Sequence, residues 1–131
     1  MKTIKILLTV SILALFTASC VSDDPLARVK YQISGLDNHV AEIKYKDATG
    51  YIIDVLTNGN INTFAGGSDT KSIAVNSTPF DASLQVTVNN TSATAKEYVL
   101  VIYVGNEAKA TKNFSAPPSA ISTEQVVYTV E

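Results

Sequence analysis

The sequence reads as an all-β chain, an antiparallel β-sandwich of about seven strands. Three observations predict it. From Arg28 onward apolar and polar residues alternate with period two. Turn-forming residues interrupt that alternation about every 8–12 residues, the spacing of sandwich strands. Beyond the first apolar run, no stretch places apolar residues at i, i+3, i+4 and i+7 over three turns, so no helix is predicted there.

The elements follow in order. Val29, Tyr31 and Ile33 share one face of a first strand, with Lys30 and Gln32 opposite, and Gly35-Leu36-Asp37-Asn38 ends it. Ala41, Ile43 and Tyr45 alternate with Glu42, Lys44 and Lys46, a strand with one dry and one wet face. Asp47-Ala48-Thr49-Gly50 is a turn, and residues 51–57 form the next strand. Asn58-Gly59 is the tight-turn dipeptide that favours positive φ at both positions. Residues 61–64 and 71–75 are short strands on either side of the flexible loop Gly66-Gly67-Ser68-Asp69.

Leu84, Val86 and Val88 alternate with Gln85, Thr87 and Asn89, and residues 90–94 form a polar connection. Residues 98–104 are apolar on both faces and therefore belong in the middle of the domain. Gly105-Asn106-Glu107 turns the chain into a strand over 108–114. Pro117-Pro118 then interrupts the ladder donors, and residues 126–130 close the domain.

Composition excludes several kinds of chemistry. The chain has 131 residues, enough for one domain, and a net charge of −2 with no cluster of Lys or Arg. A nucleic-acid surface needs a basic stripe, so that partner is not expected. One Cys excludes an internal disulfide, and one Cys with one His excludes the usual zinc ligand sets, so no cofactor or metal is expected.

The first residues read as an address. Lys2 and Lys5 precede the apolar run 6–16, about 16 Å long as a helix against a hydrocarbon core of about 30 Å. That length suits the core of a signal peptide better than a membrane span. Thr17-Ala18-Ser19-Cys20 follows and resembles the lipobox of bacterial lipoproteins. The resemblance implies a signal peptide over 1–19, cleavage before Cys20, and acylation of the Cys20 thiol and the new amine. Two or more acyl chains hold a membrane far more firmly than the single chain that gives marginal binding. Residues 20–26 read as the lipidated Cys and an acidic tether, and 27–131 as the sandwich domain. Ser22, Asp23 and Asp24 resemble the acidic surface-export signal of Bacteroidetes lipoproteins. The implied location is the outer membrane, surface-exposed or else facing the periplasm.

A second resemblance concerns the domain. Val29-Lys30-Tyr31-Gln32-Ile33-Ser34-Gly35 with Val40-Ala41-Glu42-Ile43-Lys44-Tyr45 resembles the opening of small exported proteins of the MmpS type and of short Bacteroidetes lipoproteins. The strand 84–90 and the run 99–105 continue the likeness, which covers about half of the chain after Cys20. It implies an immunoglobulin-like sandwich on an exported anchor and, in the mycobacterial members, an accessory role beside lipid-exporting transporters. This chain departs from those members by carrying a lipobox where they keep a membrane-spanning helix.

Candidate chemistry is sparse. His39 is the only imidazole, and Ser-His catalysis would need a serine beside it and an acid behind. No G-x-S-x-G elbow is present, so it reads as a turn histidine. Asp54, Asp69, Asp81 and Glu97 are the acids available for paired-carboxylate work. Strict alternation puts Asp54 on a solvent face. Gly66-Gly67-Ser68-Asp69 has one carboxylate where a calcium site wants several. The sequons at Asn76, Asn89 and Asn90 carry no weight in a chain of bacterial type. No catalytic residue is expected. The chain reads as a non-enzymatic envelope lipoprotein: an interaction or accessory module with a protein partner, or else a self-assembling structural subunit or a module for a glycan or small ligand. The apolar surplus of 98–104 is either covered or offered to a partner. Lys44 and Lys46 read as protection of an exposed edge, which leans against self-assembly.

Overall fold

The computed structural model describes residues 24–57, 60–61, 64 and 69–131. The leader, Cys20, Ser22 and Asp23 lie outside the described residues, as do the Asn58-Gly59 turn and Gly66-Gly67-Ser68. Nine strands and no helix are found among the described residues: β1 (Ala27–Ser34), β2 (Val40–Asp47), β3 (Gly50–Thr57), β4 (Asn60–Ile61), β5 (Thr70–Val75), β6 (Phe80–Asn90), β7 (Lys96–Val104), β8 (Glu107–Ala116) and β9 (Ala120–Val130). The nine strands fall on the nine segments that alternation marks out, two of them beyond a seven-stranded sandwich; β4 is a two-residue piece, and β6, β8 and β9 run longer than their alternating segments.

The strands form two antiparallel sheets, ordered β5-β1-β7-β8 and β4-β3-β2-β6-β9, packed as a β-sandwich. The expected central placement of residues 98–104 is realised: β7 lies between β1 and β8. The β7–β8 hairpin is interposed in sequence between β6 and β9, yet β6 and β9 pair over eleven residues, Phe80↔Val130 to Asn90↔Ala120. The chain therefore changes sheets after β6 and changes back after β8. We call the end carrying these crossovers and the β1–β2 turn the upper end. The chain enters β1 at the lower end, beside the β2–β3 and β7–β8 turns.

The core is built by alternation. Val29, Tyr31 and Ile33 from β1 and Tyr98, Leu100 and Ile102 from β7 face Ile43 and Tyr45 of β2 and the Ala82, Leu84, Val86 and Val88 row of β6. Tyr31, Tyr45 and Phe64 form a chain of tilted and edge-on rings with centroids 5.8 Å apart at each step, the favoured aromatic geometry. The Tyr31 hydroxyl crosses from one sheet to the other and donates to the Lys46 carbonyl at 2.6 Å. Burial pushes its pKa up, so the phenol stays protonated and keeps donating.

Three expectations need correction. In β2 the buried residues are Val40, Ile43 and Tyr45 rather than Ala41, Ile43 and Tyr45, because a register shift between Val40 and Glu42 switches the face of the strand's first residues. In β3 the even-numbered residues point inward, so Asp54 is 4% exposed while Tyr51, Ile53 and Val55 stand in solvent. Asn90, read as the start of a polar connection, is the last residue of β6 and is fully buried.

That burial is explained by what Asn90 does. Its amide nitrogen donates to the carbonyls of Thr94 at 2.9 Å and of Ala116 and Pro117 at 3.0 Å each, sharing two N–H groups among three acceptors. Its Oδ1 accepts from the backbone N–H of Ser92 at 3.0 Å and from the Ser92 hydroxyl at 2.7 Å. One side chain thus ties both sheet-switching connections together. Asn90→Ala should lower stability by roughly 3 kcal/mol, since several buried carbonyls lose their donor. Urea unfolding should show the midpoint falling with an unchanged slope. A midpoint within error of the parent would mean that the clasp is dispensable.

Candidate functional site

Two places carry surface chemistry. The first is the upper end. Gly35 leaves β1 at φ +86, and a Cβ there would lie 2.7 Å from the Glu97 carbonyl oxygen, so glycine is required twice over. This tight exit brings Asp37 over the start of β7. Asp37 Oδ1 accepts from the Tyr98 hydroxyl at 2.8 Å and from the His39 backbone N–H at 3.0 Å. Its Oδ2 lies 3.3 Å from His39 Nδ1 and 3.7 Å from Lys96 Nζ. The next turn is locked in turn by Asn89, whose N–H donates to the His39 carbonyl at 2.8 Å.

The electrostatics of Asp37 are set by opposing effects. Partial burial pushes its pKa up, but the Tyr98 hydroxyl and the His39 N–H and ring outweigh that and hold it below the usual carboxylate value. Burial and the Asp37 carboxylate together push the Tyr98 phenol up. His39 therefore sits in an acid–phenol–imidazole–ammonium cluster. Among the described residues no serine or threonine hydroxyl hydrogen-bonds it. As an arrangement it braces a turn: the acid's acceptors are taken up by the protein's own donors.

The remaining acids are kept apart. Asp81 lies on the outer face of β6 and accepts from Thr129 Oγ1 at 2.7 Å. Glu97 lies on β7 in the other sheet and accepts from Ser115 Oγ at 2.6 Å. Asp54 points into the sandwich from β3, and with Asp47 it helps burial push the Tyr45 phenol up. Asp69 is exposed, and its backbone carbonyl accepts from the Ile33 N–H at 2.9 Å. Asp24 is exposed ahead of β1. Asn90 is fully buried and its amide engaged, so that sequon is not open to modification, whereas Asn76 and Asn89 are exposed.

The second place is the outer face of the β4-β3-β2-β6-β9 sheet. Four columns of side chains run across it in register. Tyr51, Ile53 and Val55 of β3 stand beside Lys46, Lys44 and Glu42 of β2. Beyond them come Gln85 and Thr87 of β6, and then Gln125 and Thr123 of β9. The β6–β9 part is knitted by side chains, Thr87 to Thr123 at 3.0 Å and Gln125 Nε2 to Ser83 Oγ at 2.8 Å. The β3 column is different in kind, because Tyr51, Ile53 and Val55 are 54%, 53% and 57% exposed. Lys44 Nζ hangs 4.6 Å over the Tyr51 ring, a cation–π contact that leaves Ile53 and Val55 uncovered by it. Residue polarity alone puts Asp54 on the wet face and so hides this column. The signal was present in the β-branched Ile53 and Val55 at the odd positions.

The apolar surplus on β7 has the opposite fate. Val101 is 8% exposed on the outer face of its sheet, between Gln32 of β1 and Thr111 of β8, and Lys30 Nζ covers the Tyr103 ring at 4.1 Å. On this face Val101 is buried, and Val99 and Tyr103 are half-buried.

No known protein family, curated protein or solved structure matches the chain.

The Asp37 cluster has a pH signature. A carboxylate whose pKa is lowered on folding contributes stability above its unfolded value and loses it as pH falls through the folded value. Asp37→Asn should therefore flatten the acid limb of the stability profile, measured by urea midpoint as pH is lowered from neutrality through the carboxylate range. It should also cost roughly 1–2 kcal/mol at neutral pH from weakened hydrogen bonds. An acid limb identical to the parent's would show that Asp37 does not carry it.

Proposed function

We propose that the chain is a non-enzymatic lipoprotein of the cell envelope, held in the outer membrane through acylated Cys20, with its β-sandwich as an interaction module. The observation that carries this reading is Thr17-Ala18-Ser19-Cys20 behind a basic and apolar leader, with six residues separating the chain's only Cys from β1. Six residues, Val21 to Leu26, reach at most about 20 Å when extended, so an anchored domain stays close to the bilayer. The chain enters the fold at the lower end, so the Asp37 and Asn90 end would face away from the membrane. Ser22, Asp23 and Asp24 favour export to the surface. The MmpS-type resemblance favours a protein partner in the envelope, and the exposed Tyr51, Ile53 and Val55 column supplies an apolar surface for one.

A self-assembling subunit is the second reading. It is favoured by one observation: Lys44 and Lys46 lie on β2, an interior strand, and so do not protect the β3 edge.

The anchor is tested by growing cells with a clickable fatty-acid analogue and analysing the mature chain by mass spectrometry. The expected result is label on a chain beginning at Cys20, and complete loss of label in Cys20→Ala. A parent chain that takes no label, or that is processed elsewhere, overturns the reading.

A further inference from the structure

β9, eleven residues long, is the terminal strand of its sheet, and β8, ten residues long, is the terminal strand of the other. They lie against each other on one side of the sandwich, joined by residues 117–119. Among the described residues no strand pairs with the far edge of either. A long edge of β-forming residues is a template for a further strand. β9 fits that description: Ile, Thr, Val and Tyr make up most of it, it has no proline, and Glu124 is its one charged residue.

The placement of that charge is a second observation. Residues directly opposite in an antiparallel pair share a face. Glu124 stands opposite Val86, and Lys112 of β8 stands opposite Leu100, both fully buried core residues. Glu124 and Lys112 therefore leave their strands on the core face, Glu124 next to Val126 and Lys112 next to Phe114 along it. Their side chains nonetheless remain 32% and 50% exposed, and Glu124 Oε1 meets Lys112 Nζ at 4.0 Å. Each charge thus reaches water round the free edge of its own sheet, and the two meet across the open side of the sandwich. β8 carries a further irregularity: its register on β7 skips Lys109, which pairs with Glu107 at 2.7 Å, and such a bulge disrupts an edge as a template.

We propose that Lys112 and Glu124 guard the β8–β9 side of the sandwich against the addition of a further strand. A strand added to either edge would lay its backbone and inner-face side chains across the path by which that charge reaches water. The charge would then be desolvated, and attraction within the pair does not offset the lost hydration. The guard needs a charge on each residue, whichever sign each carries. It is independent of the Cys20 anchor and goes beyond the reading of the domain as an interaction module. It takes this side out of the surfaces such a module offers, and out of those through which copies could assemble.

The test compares four full chains in a Cys20→Ala background, so that acylation plays no part. They are the parent, a charge-swapped chain with Lys112→Glu and Glu124→Lys, and two uncharged chains. One uncharged chain carries Lys112→Gln with Glu124→Gln, the other Lys112→Thr with Glu124→Thr. Circular dichroism and urea unfolding report whether each is folded. Light scattering follows the mass as concentration rises, and amide hydrogen exchange locates the contact. Both uncharged chains should move toward twice the parent's mass, with exchange slowed in β8 or β9. The glutamine pair keeps the length of both side chains, so its association reports the loss of charge. The charge-swapped chain should behave as the parent does. Folded uncharged chains that keep the parent's mass and exchange pattern overturn the proposal. So does equal association of the charge-swapped chain, or slowed exchange confined to strands other than β8 and β9. Failure of fatty-acid labelling leaves this experiment untouched.

Discussion

The amide of Asn90 is the contact on which the connectivity of the sandwich depends. β6 and β9 pair along their whole length although a complete hairpin separates them in sequence. The chain must leave one sheet, build β7 and β8 in the other, and return to within one strand spacing of where it left. Both connections are short and both sit at the end of β6. Backbone carbonyls there cannot all be satisfied by a ladder, and Pro117-Pro118 supplies no N–H at all. A buried primary amide answers that shortage with two donors, while its oxygen organises the Ser92 turn. The Ser119 N–H adds a bond of 3.2 Å to the Ser92 carbonyl, joining the two connections directly.

The same end is reinforced from the other side of the core. Tyr98 enters β7 immediately after the first crossover, and its ring is buried against Phe114 at 5.8 Å. Its hydroxyl then reaches Asp37 in the β1–β2 turn. The opposite end relies instead on Tyr31, which bridges the sheets to the Lys46 carbonyl. Two buried phenols therefore fix the two ends, each with its apolar ring in the core and its polar tip on a loop or sheet edge. Such contacts add little to hydrophobic burial, yet they choose one register of sheet on sheet.

Where alternation was uninterrupted, the fold was legible. Leu84, Val86 and Val88 declare their face without help, and the two-sided apolar run of β7 declares a strand flanked on both sides. Alternation fails where a residue's polarity and its parity disagree. Asp54 is acidic, yet it shares the inward parity of Ile52, and parity prevails because reversing it would bury Lys44 and Lys46 on the neighbouring strand. Ala41 misled for a different reason: a bulge is a change of count, and counting from residue types cannot detect it when both Val40 and Ala41 are apolar. Asn90 misled because its value lies in long-range partners, Ala116 and Pro117, that no local window contains. Cys20 is read from the sequence only as a resemblance and lies outside the described residues. The β3 column came into view once the parity of that strand was known.

β7 and β3 show that apolar residues on an outward face do not by themselves make a surface. Val101 lies on an interior strand with Gln32 of β1 and Thr111 of β8 directly beside it, and it is buried. Beside it the Lys30 ammonium sits over the Tyr103 ring at 4.1 Å, a cation–π contact on the same face. Among the described residues Ile53 has a registered neighbour on one side, Lys44, and that ammonium is drawn to the Tyr51 ring instead. The exposure of β3 is thus a consequence of strand order rather than of composition.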